Sequence, residues 1–499
     1  MSADKVVIIG AGPTGLGAAV RLMELKHANF HLYDGGTVPG GLSRSVLDDK
    51  GFLWDMGGHV IFSHYAYFDD VMNLAISDWN TLQRESWVRC SGAWVPYPFQ
   101  SNIHRLPPEV RDTCLKGIEE AEAARSVAAP EKPQNFAEYV SRHFGEGIAE
   151  VFMRPYNFKV WAVPLHLMST EWVGERVAAV NVERIRENIQ LKRDDVGWGP
   201  NATFRFPKSG GTGAIYKAVW KMIPEAHKTL GPQCRVTKVN PITKTLTMAN
   251  GEAVSYDALV STMPLDDLLL AVAAGVEEDA ETASASALKA PRLREIADKM
   301  VYSSTHIIGI GVKGCPPPEM RTACWLYFPE DGIPFYRATI FSRYADTNAP
   351  EGHWSILLEV SQNVLYKPVN VDTIVEDCIA GLRTVTLLRP EDEIVSRWHH
   401  MEKKGYPIPF VGRNELLEEV QPVLRDKYQI YSRGRFGAWR YEVANQDHSL
   451  MQGVEAVGHI FYGTDEDTVH KPEKVNTRRG EMRCTWSSTA SLEHHHHHH

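Results

Sequence analysis

The apolar positions in the first 34 residues follow the spacing of a strand, then of a helix, then of a second strand. Val6 to Ile9 form a short apolar run, and the glycine-rich stretch "GAGPTG" follows it. In "LGAAVRLMEL" the apolar residues recur with helical spacing, and a second strand-like run ends at Asp34. A strand, a turn, a helix and a strand make a βαβ unit. The pattern therefore predicts that the chain begins with part of a parallel α/β sheet.

Further along, the pattern changes between helix-like and strand-like segments. Residues 101–204 contain long helical stretches such as "PPEVRDTCLKGIEEAEAAR", so we predict a helical domain there. Residues 301–429 are rich in strand-like runs, which predicts a strand-rich antiparallel sheet domain. Strand patterns also occur between these segments. We therefore predict one discontinuous domain made of residues 1–100, 205–300 and 430–480.

Composition and charge narrow the class of protein. With 499 residues, 43% hydrophobic and 23% charged, the chain is long enough for two or three ordinary globular domains. A formal charge of -9 argues against nucleic acid or anionic membrane as a partner. The longest apolar run, "LLLAVAAGV", is too short to span a bilayer. Seven scattered cysteines without a CxxC motif are typical of free thiols in a reducing compartment.

These observations predict a cytoplasmic protein without nucleic-acid or membrane partners. The sequence leaves its oligomeric state open, with a monomer slightly favoured. The ending "LEHHHHHH", residues 492–499, is typical of a cloning scar and affinity tag, so its histidines are set aside.

The glycine turn predicts a dinucleotide site. Gly10, Gly12 and Gly15 stand between a strand and a helix, where backbone N–H groups and the helix N-terminus can meet a pyrophosphate. Asp34 follows at the distance expected for a carboxylate that binds a ribose hydroxyl. Because this carboxylate would repel a 2′-phosphate, the site favours FAD or NAD over NADP. A second glycine cluster, "VPGGLSRS", lies just beyond Asp34 and suggests a second pass of backbone along the same cofactor.

The stretch "WDMGGHVIFSHYAYFDD", residues 54–70, combines two glycines, two histidines and several aromatic residues. His59 and His64 are five residues apart, so they point in different directions on either a strand or a helix. We therefore predict no metal site in this stretch. The alternatives are a packed core or a surface that lies against a flat ligand.

Several motifs together carry a family resemblance. The stretches "GAGPTGLGAA", "PGGLSRS", "PKSGGTGAI" and "DALVSTMP" resemble the FAD-binding frame of amine oxidases, phytoene desaturases and UDP-galactopyranose mutases. Five further stretches are similar to eukaryotic UDP-galactopyranose mutases in particular: "DMGGHVIFSHYAYFDD", "VPYPFQ", "FMRPYNFKVWAVP", "FYRATIFS" and "GRFGAWRYEVANQDHS". The matched stretches extend from residue 5 to about residue 457.

The resemblance implies an α/β fold with a Rossmann-like FAD-binding domain, a helical substrate or lid domain, and an antiparallel sheet domain. It implies the isomerisation of UDP-galactopyranose to UDP-galactofuranose on reduced FAD. N(5) of the flavin attacks the anomeric carbon, UDP leaves, and the ring contracts through a flavin iminium. NADPH is the implied reductant of the flavin, and UDP and the two UDP-sugars are the implied ligands.

The resemblance also assigns residues to roles. The implied catalytic residues are His59, Arg176 and Arg337. The implied cofactor-binding residues are Gly10, Gly12, Gly15, Asp34, Gly41, Leu42, Arg44, Gly57, Gly58, His59, Val236, Asn445 and Gln446. The implied substrate-binding residues are Phe62, Tyr97, Gln100, Phe152, Met153, Tyr156, Asn157, Trp161, Arg176, Asn201, Tyr327, Arg337, Tyr344, Tyr406, Tyr441 and Asn445. Arg84 and Ser86 are implied to lie in the NADPH region.

Two other functions fit the same frame. An FAD-dependent amine oxidase or desaturase would need an amine-accepting or apolar pocket, whereas this sequence offers arginines and tyrosines suited to a diphosphate. A non-catalytic escort protein of the dissociation-inhibitor kind would have lost the flavin. The intact glycine turn and Asp34 argue against that second alternative.

Overall fold

The computed structural model describes residues 4–127, 131–174, 180–196 and 202–487. Arg176, Asn201 and the tag lie outside the described residues. The strands are β1 Val6–Ile9, β2 Phe30–Asp34, β3 Ser45–Leu47, β4 Leu53–Asp55, β5 Trp79–Gln83, β6 Ser86–Cys90, β7 Ala93–Pro96, β8 Thr203–Pro207, β9 Lys228–Leu230, β10 Val236–Asn240, β11 Thr245–Met248, β12 Ala253–Ser255, β13 Ala258–Ser261, β14 Tyr302–Lys313, β15 Trp325–Tyr327, β16 Arg337–Thr339, β17 His353–Gln362, β18 Ile394–Pro407 and β19 Ile430–Ser432.

The helices are α1 Pro13–Glu24, α2 Ala66–Ala75, α3 Pro108–Val127, α4 Phe136–Ile148, α5 Arg154–Trp161, α6 Val182–Leu191, α7 Gly213–Met222, α8 Leu265–Val276, α9 Ala280–Ala285, α10 Ala290–Lys299, α11 Ile374–Thr384, α12 Arg413–Pro422, α13 Gln446–Tyr462, α14 Asp467–His470 and α15 Pro472–Thr477. No described helix combines the length and the apolar character needed to cross a membrane.

The opening βαβ unit is confirmed. β1 and β2 are parallel neighbours, and α1 connects them. Gly10 has φ +112°, a conformation that glycine adopts without strain. A Cβ at Gly15 would lie 1.7 Å from the Gly10 carbonyl oxygen. These two glycines therefore allow the strand to turn directly into the helix.

A five-stranded parallel sheet forms the first layer, in the order β19-β13-β1-β2-β9. Its strands come from three separate stretches of the chain, each within one of the segments predicted for the discontinuous domain. β1 and β13 are fully buried strands, as parallel strands covered on both faces usually are. Helices α1 and α13 pack closely together beside this sheet.

A seven-stranded sheet forms the second layer, in the order β18-β14-β17-β16-β15-β6-β7. Its pairs are antiparallel except for β15 with β6, which are parallel. β6 and β7 precede residue 100, so this sheet also takes strands from the segment that begins the chain. The helices α3 to α6 lie within residues 101–204, where the sequence predicts a helical domain.

Close packing of α1 against α13 depends on glycine. A Cβ at Gly453 would lie 1.9 Å from the Thr14 carbonyl oxygen, and one at Gly17 would lie 2.3 Å from that of Leu450. Both obstacles are backbone atoms, so neither can be relieved by a side-chain rotation. Replacement of either glycine must push the two helices apart.

We expect Gly453→Ala to lower the free energy of unfolding by about 1–3 kcal/mol, because overpacking of a tight interface costs that much. The measurement is the urea midpoint followed by circular dichroism. Gly332→Ala is the matched control, since Gly332 has no positive φ and no neighbouring atom within 4 Å of an added Cβ. Equal midpoints for the two variants would contradict the close helix contact.

Candidate functional site

A cavity of about 690 Å³ lies between the two sheets and the start of α13. The glycine turn after β1 lines one part of it, and β16 to β18 line another. Fifteen of the predicted site residues line this cavity: Gly10, Gly12, Asp34, Gly41, Leu42, Gly58, His59, Phe62, Arg84, Tyr327, Arg337, Tyr406, Tyr441, Asn445 and Gln446. The cavity therefore brings together residues that are distant in the sequence.

Two glycine turns meet at one end of the cavity. A Cβ at Gly41 would lie 3.4 Å from Gly12 Cα, and the Gly40 N–H donates to the Ala11 carbonyl at 2.8 Å. The Asp34 carboxylate accepts hydrogen bonds from the Ala11 and Gly36 backbone N–H groups, both at 2.6 Å. This arrangement fixes the carboxylate at the cavity wall, next to the N-terminus of α1. It suits a ribose beside a phosphate.

Two predicted cofactor residues support this end without lining the cavity. Arg44 donates to the Gly41 carbonyl at 2.9 Å and pairs with Glu402, which does line the cavity, at 2.6 Å. Val236 is the first residue of β10. The Cα atom of the preceding residue, Arg235, would lie 3.5 Å from a Cβ added at Gly35. Val236 thus lies near the end of β2, on the side of Asp34.

Gly57 and Gly58 allow the backbone of this segment to lie close to the seven-stranded sheet. Gly57 has φ +123°, and a Cβ there would lie 2.9 Å from Glu359 Oε1. A Cβ at Gly58 would lie 2.5 Å from Thr339 Oγ1. Side chains at these two positions would collide with β16 and β17. The glycines therefore place His59 against the sheet, at the cavity wall.

His59 is held neutral by its surroundings. Burial and the nearby guanidinium groups of Arg337 and Arg435 lower the pKa of His59 to about 4, although Glu359 opposes the shift. Its Nε2 is buried and forms no hydrogen bond with the described residues. A buried imidazole nitrogen without a protein partner at a cavity wall is suited to contact a bound ligand.

Arg337 is fixed by a buried carboxylate. Its Nη2 donates to Glu359 Oε1 at 2.7 Å, and its Nε donates to the other carboxylate oxygen. The two residues are cross-strand partners on β16 and β17. Tyr406 extends the group, because its hydroxyl lies 2.8 Å from that of Tyr336, which also reaches Glu359. Burial opposes the charge of Arg337, but Glu359 outweighs it and raises the pKa of the guanidinium.

Two further arginines line the cavity. Arg435 donates to the Gly405 carbonyl at 3.0 Å, and its guanidinium lies 5.2 Å from the centre of the Tyr406 ring. Arg84 lies 5.2 Å from the ring centres of both Phe62 and Trp325. Together with Arg337, these side chains make the cavity suited to an anionic ligand with flat groups.

The predicted uridine residues form an aromatic row beside the cavity. Phe152 stacks on Tyr156, whose ring meets that of Tyr327 edge-on at 5.4 Å. Trp161 meets Tyr406 and Tyr441 in the same manner, at 5.4 and 4.6 Å. Tyr327, Tyr406 and Tyr441 are also cavity residues. The row is therefore continuous with the cavity wall.

The remaining predicted substrate residues lie behind the cavity wall. Asn157 accepts a hydrogen bond from Trp161 Nε1 at 3.2 Å and donates to the Met153 carbonyl at 2.7 Å. Tyr97 meets Tyr327 at 5.5 Å, and Gln100 is buried. Ser86, which is predicted for the NADPH region, is the first residue of β6 and is also buried.

Tyr344 lies outside the cavity lining. It is fully buried, and its ring contacts those of Phe204, Phe206 and Phe341. Its hydroxyl forms no hydrogen bond with the described residues.

Lys159 connects the aromatic row to the segment before β16. Its ammonium donates to the carbonyls of Phe328, Glu330 and Phe335 at 2.7, 3.0 and 2.9 Å. Burial lowers the pKa of this side chain to about 7. These hydrogen bonds of Lys159 connect α5 to the loop that precedes Arg337.

Sequence reasoning missed Glu359 and Arg435. Glu359 stands among apolar residues in "SILLEVS", so a lone carboxylate in a buried strand was a signal available in the sequence. Arg435 lies within the quoted stretch "GRFGAWRYEVANQDHS", but nothing in its spacing separates it from the neighbouring arginines.

The residues present fit a flavin dinucleotide. The glycine turns and Asp34 suit a pyrophosphate and a ribose, as described above. Buried polar atoms without a hydrogen bond to the described residues occur at His59 Nε2, Gln446 Nε2 and Thr339 Oγ1. His59 and Gln446 line the cavity. Their side chains are available to a polar ring system bound in the cavity.

A model of the family described as flavin-containing amine oxidoreductase matches residues 13–431. A solved structure of a reduced UDP-galactopyranose mutase is 58% identical over 97% of this chain and 99% of that chain, with a TM-score of 0.91.

Other matches are more distant. A zeta-carotene desaturase of Zea mays is 30% identical over 131 residues, which are 25% of this chain and 23% of that protein. The match to the desaturase of Arabidopsis thaliana spans 14% of that protein. A putrescine oxidase structure is 14% identical over 92% of this chain and 98% of its own, with a TM-score of 0.59, and shares the fold alone. The chain therefore belongs to the flavin-containing amine oxidoreductase family and, within it, to the UDP-galactopyranose mutases.

Proposed function

We propose that the chain binds FAD in the cavity and, with the flavin reduced, interconverts UDP-galactopyranose and UDP-galactofuranose. One observation carries the proposal: the dinucleotide end of the cavity is continuous with a wall where Glu359 fixes Arg337 beside Tyr406 and Tyr441. A guanidinium held in this way suits a diphosphate. The 58% identity to a reduced UDP-galactopyranose mutase supports the same substrate.

The cofactor would lie along the cavity from Asp34 to His59. The backbone at Gly10, Gly12 and Gly41 would meet the pyrophosphate, with Gly15 permitting the turn and Leu42 beside it. The Asp34 carboxylate would bind a ribose hydroxyl, Val236 would lie towards the adenine end, and Arg44 would brace the second glycine turn. At the flavin end the site would be formed by Gly57, Gly58, His59, Asn445 and Gln446. Reduced FAD supplies the nucleophile and the electron sink of this isomerisation.

The sugar diphosphate would lie between the flavin end and the aromatic row. Arg337 would hold the diphosphate, with Arg176 as the second predicted guanidinium and Asn201 near the sugar. Tyrosine hydroxyls at Tyr406 and Tyr441 would donate to it without adding charge, so UDP can leave and return. The sugar pocket would be bounded by Phe62 and Tyr327. The uridine side would be formed by Phe152, Met153, Tyr156, Asn157, Trp161, Tyr97 and Gln100. Tyr344 is the third predicted tyrosine of this group, and its buried hydroxyl forms no hydrogen bond with the described residues.

NADPH is the proposed reductant of the flavin. Arg84 lines the cavity, and its guanidinium makes cation–π contacts with the rings of both Phe62 and Trp325. Such a site suits a nucleotide that brings both phosphate and flat rings. Ser86, two positions further along the chain and the first residue of β6, is the second predicted residue of this region.

An anaerobic assay tests the activity directly. With enzyme reduced by dithionite, we expect UDP-galactofuranose to be converted to UDP-galactopyranose, resolved by chromatography, while oxidised enzyme stays inactive. The competing amine oxidase or desaturase function predicts that an amine or a polyene changes the redox state of the flavin. No interconversion by protein with bound, reduced FAD would overturn the mutase proposal.

His59→Ala is expected to lower kcat by about 100-fold or more, because the residue would contact the reacting end of the flavin as a neutral imidazole. Turnover is measured anaerobically with flavin content and reduction verified by absorbance. The matched control is His166→Ala, which removes an exposed histidine. Wild-type turnover of His59→Ala with fully reduced flavin would assign His59 a structural role alone.

Glu359→Gln is expected to lower kcat/KM for the UDP-sugar by about 100-fold, since small displacements of a substrate-binding group have effects of that size. FAD content should stay close to that of the wild type, because the dinucleotide end of the cavity is untouched. Glu376→Gln serves as the control, as it removes an exposed carboxylate paired with Arg397 in the same sheet domain. Unchanged kcat/KM in Glu359→Gln would contradict the proposed role of Arg337.

A further inference from the structure

Three potential metal ligands converge outside the flavin cavity. His64 Nδ1 lies 2.7 Å from Asp447 Oδ2, and His448 Nδ1 lies 3.6 Å from Asp447 Oδ1. One ligand atom from each residue lies within 4.8 Å of the others. The two imidazole rings are stacked, with centres 5.0 Å apart. The group joins the segment after His59 to the first turn of α13. The sequence prediction of no metal site in residues 54–70 considered only the pair His59 and His64, whereas the fold brings His64 to Asp447 and His448, which are distant in sequence.

The Asp447 carboxylate is buried between the two imidazoles. Its side chain is 0% exposed, and Oδ1 accepts no hydrogen bond from the described residues, whereas Oδ2 accepts from the His64 backbone N–H at 2.9 Å. An anionic oxygen in this position calls for a cation or a proton.

Asn476 sets the tautomer of His448. The Asn476 amide donates from Nδ2 to the Glu442 carbonyl at 3.0 Å, which directs its Oδ1 towards His448 Nε2 at 2.7 Å. His448 must therefore donate from Nε2. In a neutral ring, Nδ1 then carries the lone pair, on the side of Asp447 Oδ1. Metal-binding histidines usually have such an acceptor at the opposite nitrogen.

The ligand types and spacing select the metal. Two imidazole nitrogens and one carboxylate oxygen suit Zn²⁺ or Co²⁺ better than Ca²⁺ or Mg²⁺, which prefer oxygen ligands. Tetrahedral ligands at about 2.1 Å from a Zn²⁺ ion are about 3.4 Å apart. The 3.6 Å between His448 Nδ1 and Asp447 Oδ1 is close to that spacing, whereas the 2.7 Å between His64 Nδ1 and Asp447 Oδ2 is a hydrogen-bond distance that must lengthen when a metal ion binds. His64 is 29% exposed, so water can reach the open side and complete the coordination.

We propose that His64, Asp447 and His448 bind one divalent transition-metal ion of the Zn²⁺ class, in a site separate from the flavin cavity. Bound metal replaces the proton between His64 and Asp447 and links the 59–64 segment to α13. Asn445 and Gln446, just before this pair, line the cavity. The site thus stabilises one wall of the cavity without contributing a residue to it.

Metal binding is measured on the full-length, FAD-loaded protein with ZnCl₂ after treatment with a chelator. The six histidines at 494–499 also bind Zn²⁺, but a tag that binds in both the folded and the unfolded chain does not shift Tm. We expect Tm to rise with the logarithm of Zn²⁺ concentration in the wild type. The rise should be absent in His64→Ala and in His448→Gln, which carry the same tag.

Stoichiometry and spectroscopy provide a second measurement. Elemental analysis should find one more Zn²⁺ per chain in the wild type than in either variant, and Co²⁺ should give a visible absorption band of a tetrahedral site that His64→Ala lacks. His353→Ala, which removes a histidine far from Asp447 in sequence and on β17, is the matched control and should keep both signals. FAD content verifies that each variant is folded. Equal stoichiometry and equal Tm response in wild type and His64→Ala would show that the cluster is a hydrogen-bonded network alone and overturn the proposal.

Discussion

The pairing of Arg337 with Glu359 is the constraint on which the substrate side of the cavity depends. Both residues lie on neighbouring strands, and the register of β16 with β17 places them directly opposite each other. A buried ion pair adds little net stability, because the desolvation of two charges offsets their attraction. Loss of one partner is costly, since the other charge then remains buried. The main effect of the pair is therefore to fix the Arg337 guanidinium at the cavity wall.

The Glu359 carboxylate also restricts the backbone segment that lies against it, residues 57–58. Glu359 Oε1 lies so close to Gly57 that a Cβ there would be only 2.9 Å away. The backbone of residues 57–58 must be free of side chains for His59 to reach the wall. One glutamate thus positions a cation on the sheet and, through its contact with Gly57, constrains the segment that carries the imidazole. The charge of Arg337 also reaches His59, where it contributes to the low pKa.

Local patterns predicted the dinucleotide end of the site because its geometry is local. Gly10, Gly12 and Gly15 follow a strand and precede a helix, so the turn can be deduced from neighbouring residues alone. Glu359 could not be assigned in that way, since its role depends on strand register between β16 and β17. The surroundings of Tyr344 depend on the fold in the same way, since its ring is buried among three phenylalanines. Phe204 and Phe206 come from β8, which is distant in sequence, so no local pattern reveals these contacts.

The start of α13 shows how one helix turn can serve two sites. Asn445, Gln446 and Ser449 line the cavity, and Ser449 lies four positions after the N-cap Asn445 and three after Gln446, the spacings that share a helix face. Asp447 and His448 lie between them in sequence and, at about 100° per residue, point away from the cavity. The sequence "NQDHS" therefore alternates between two environments within a single turn. Because the residues share one backbone, any change that shifts Asp447 and His448 must also shift Asn445 and Gln446, which couples the His64 cluster to the flavin end of the cavity.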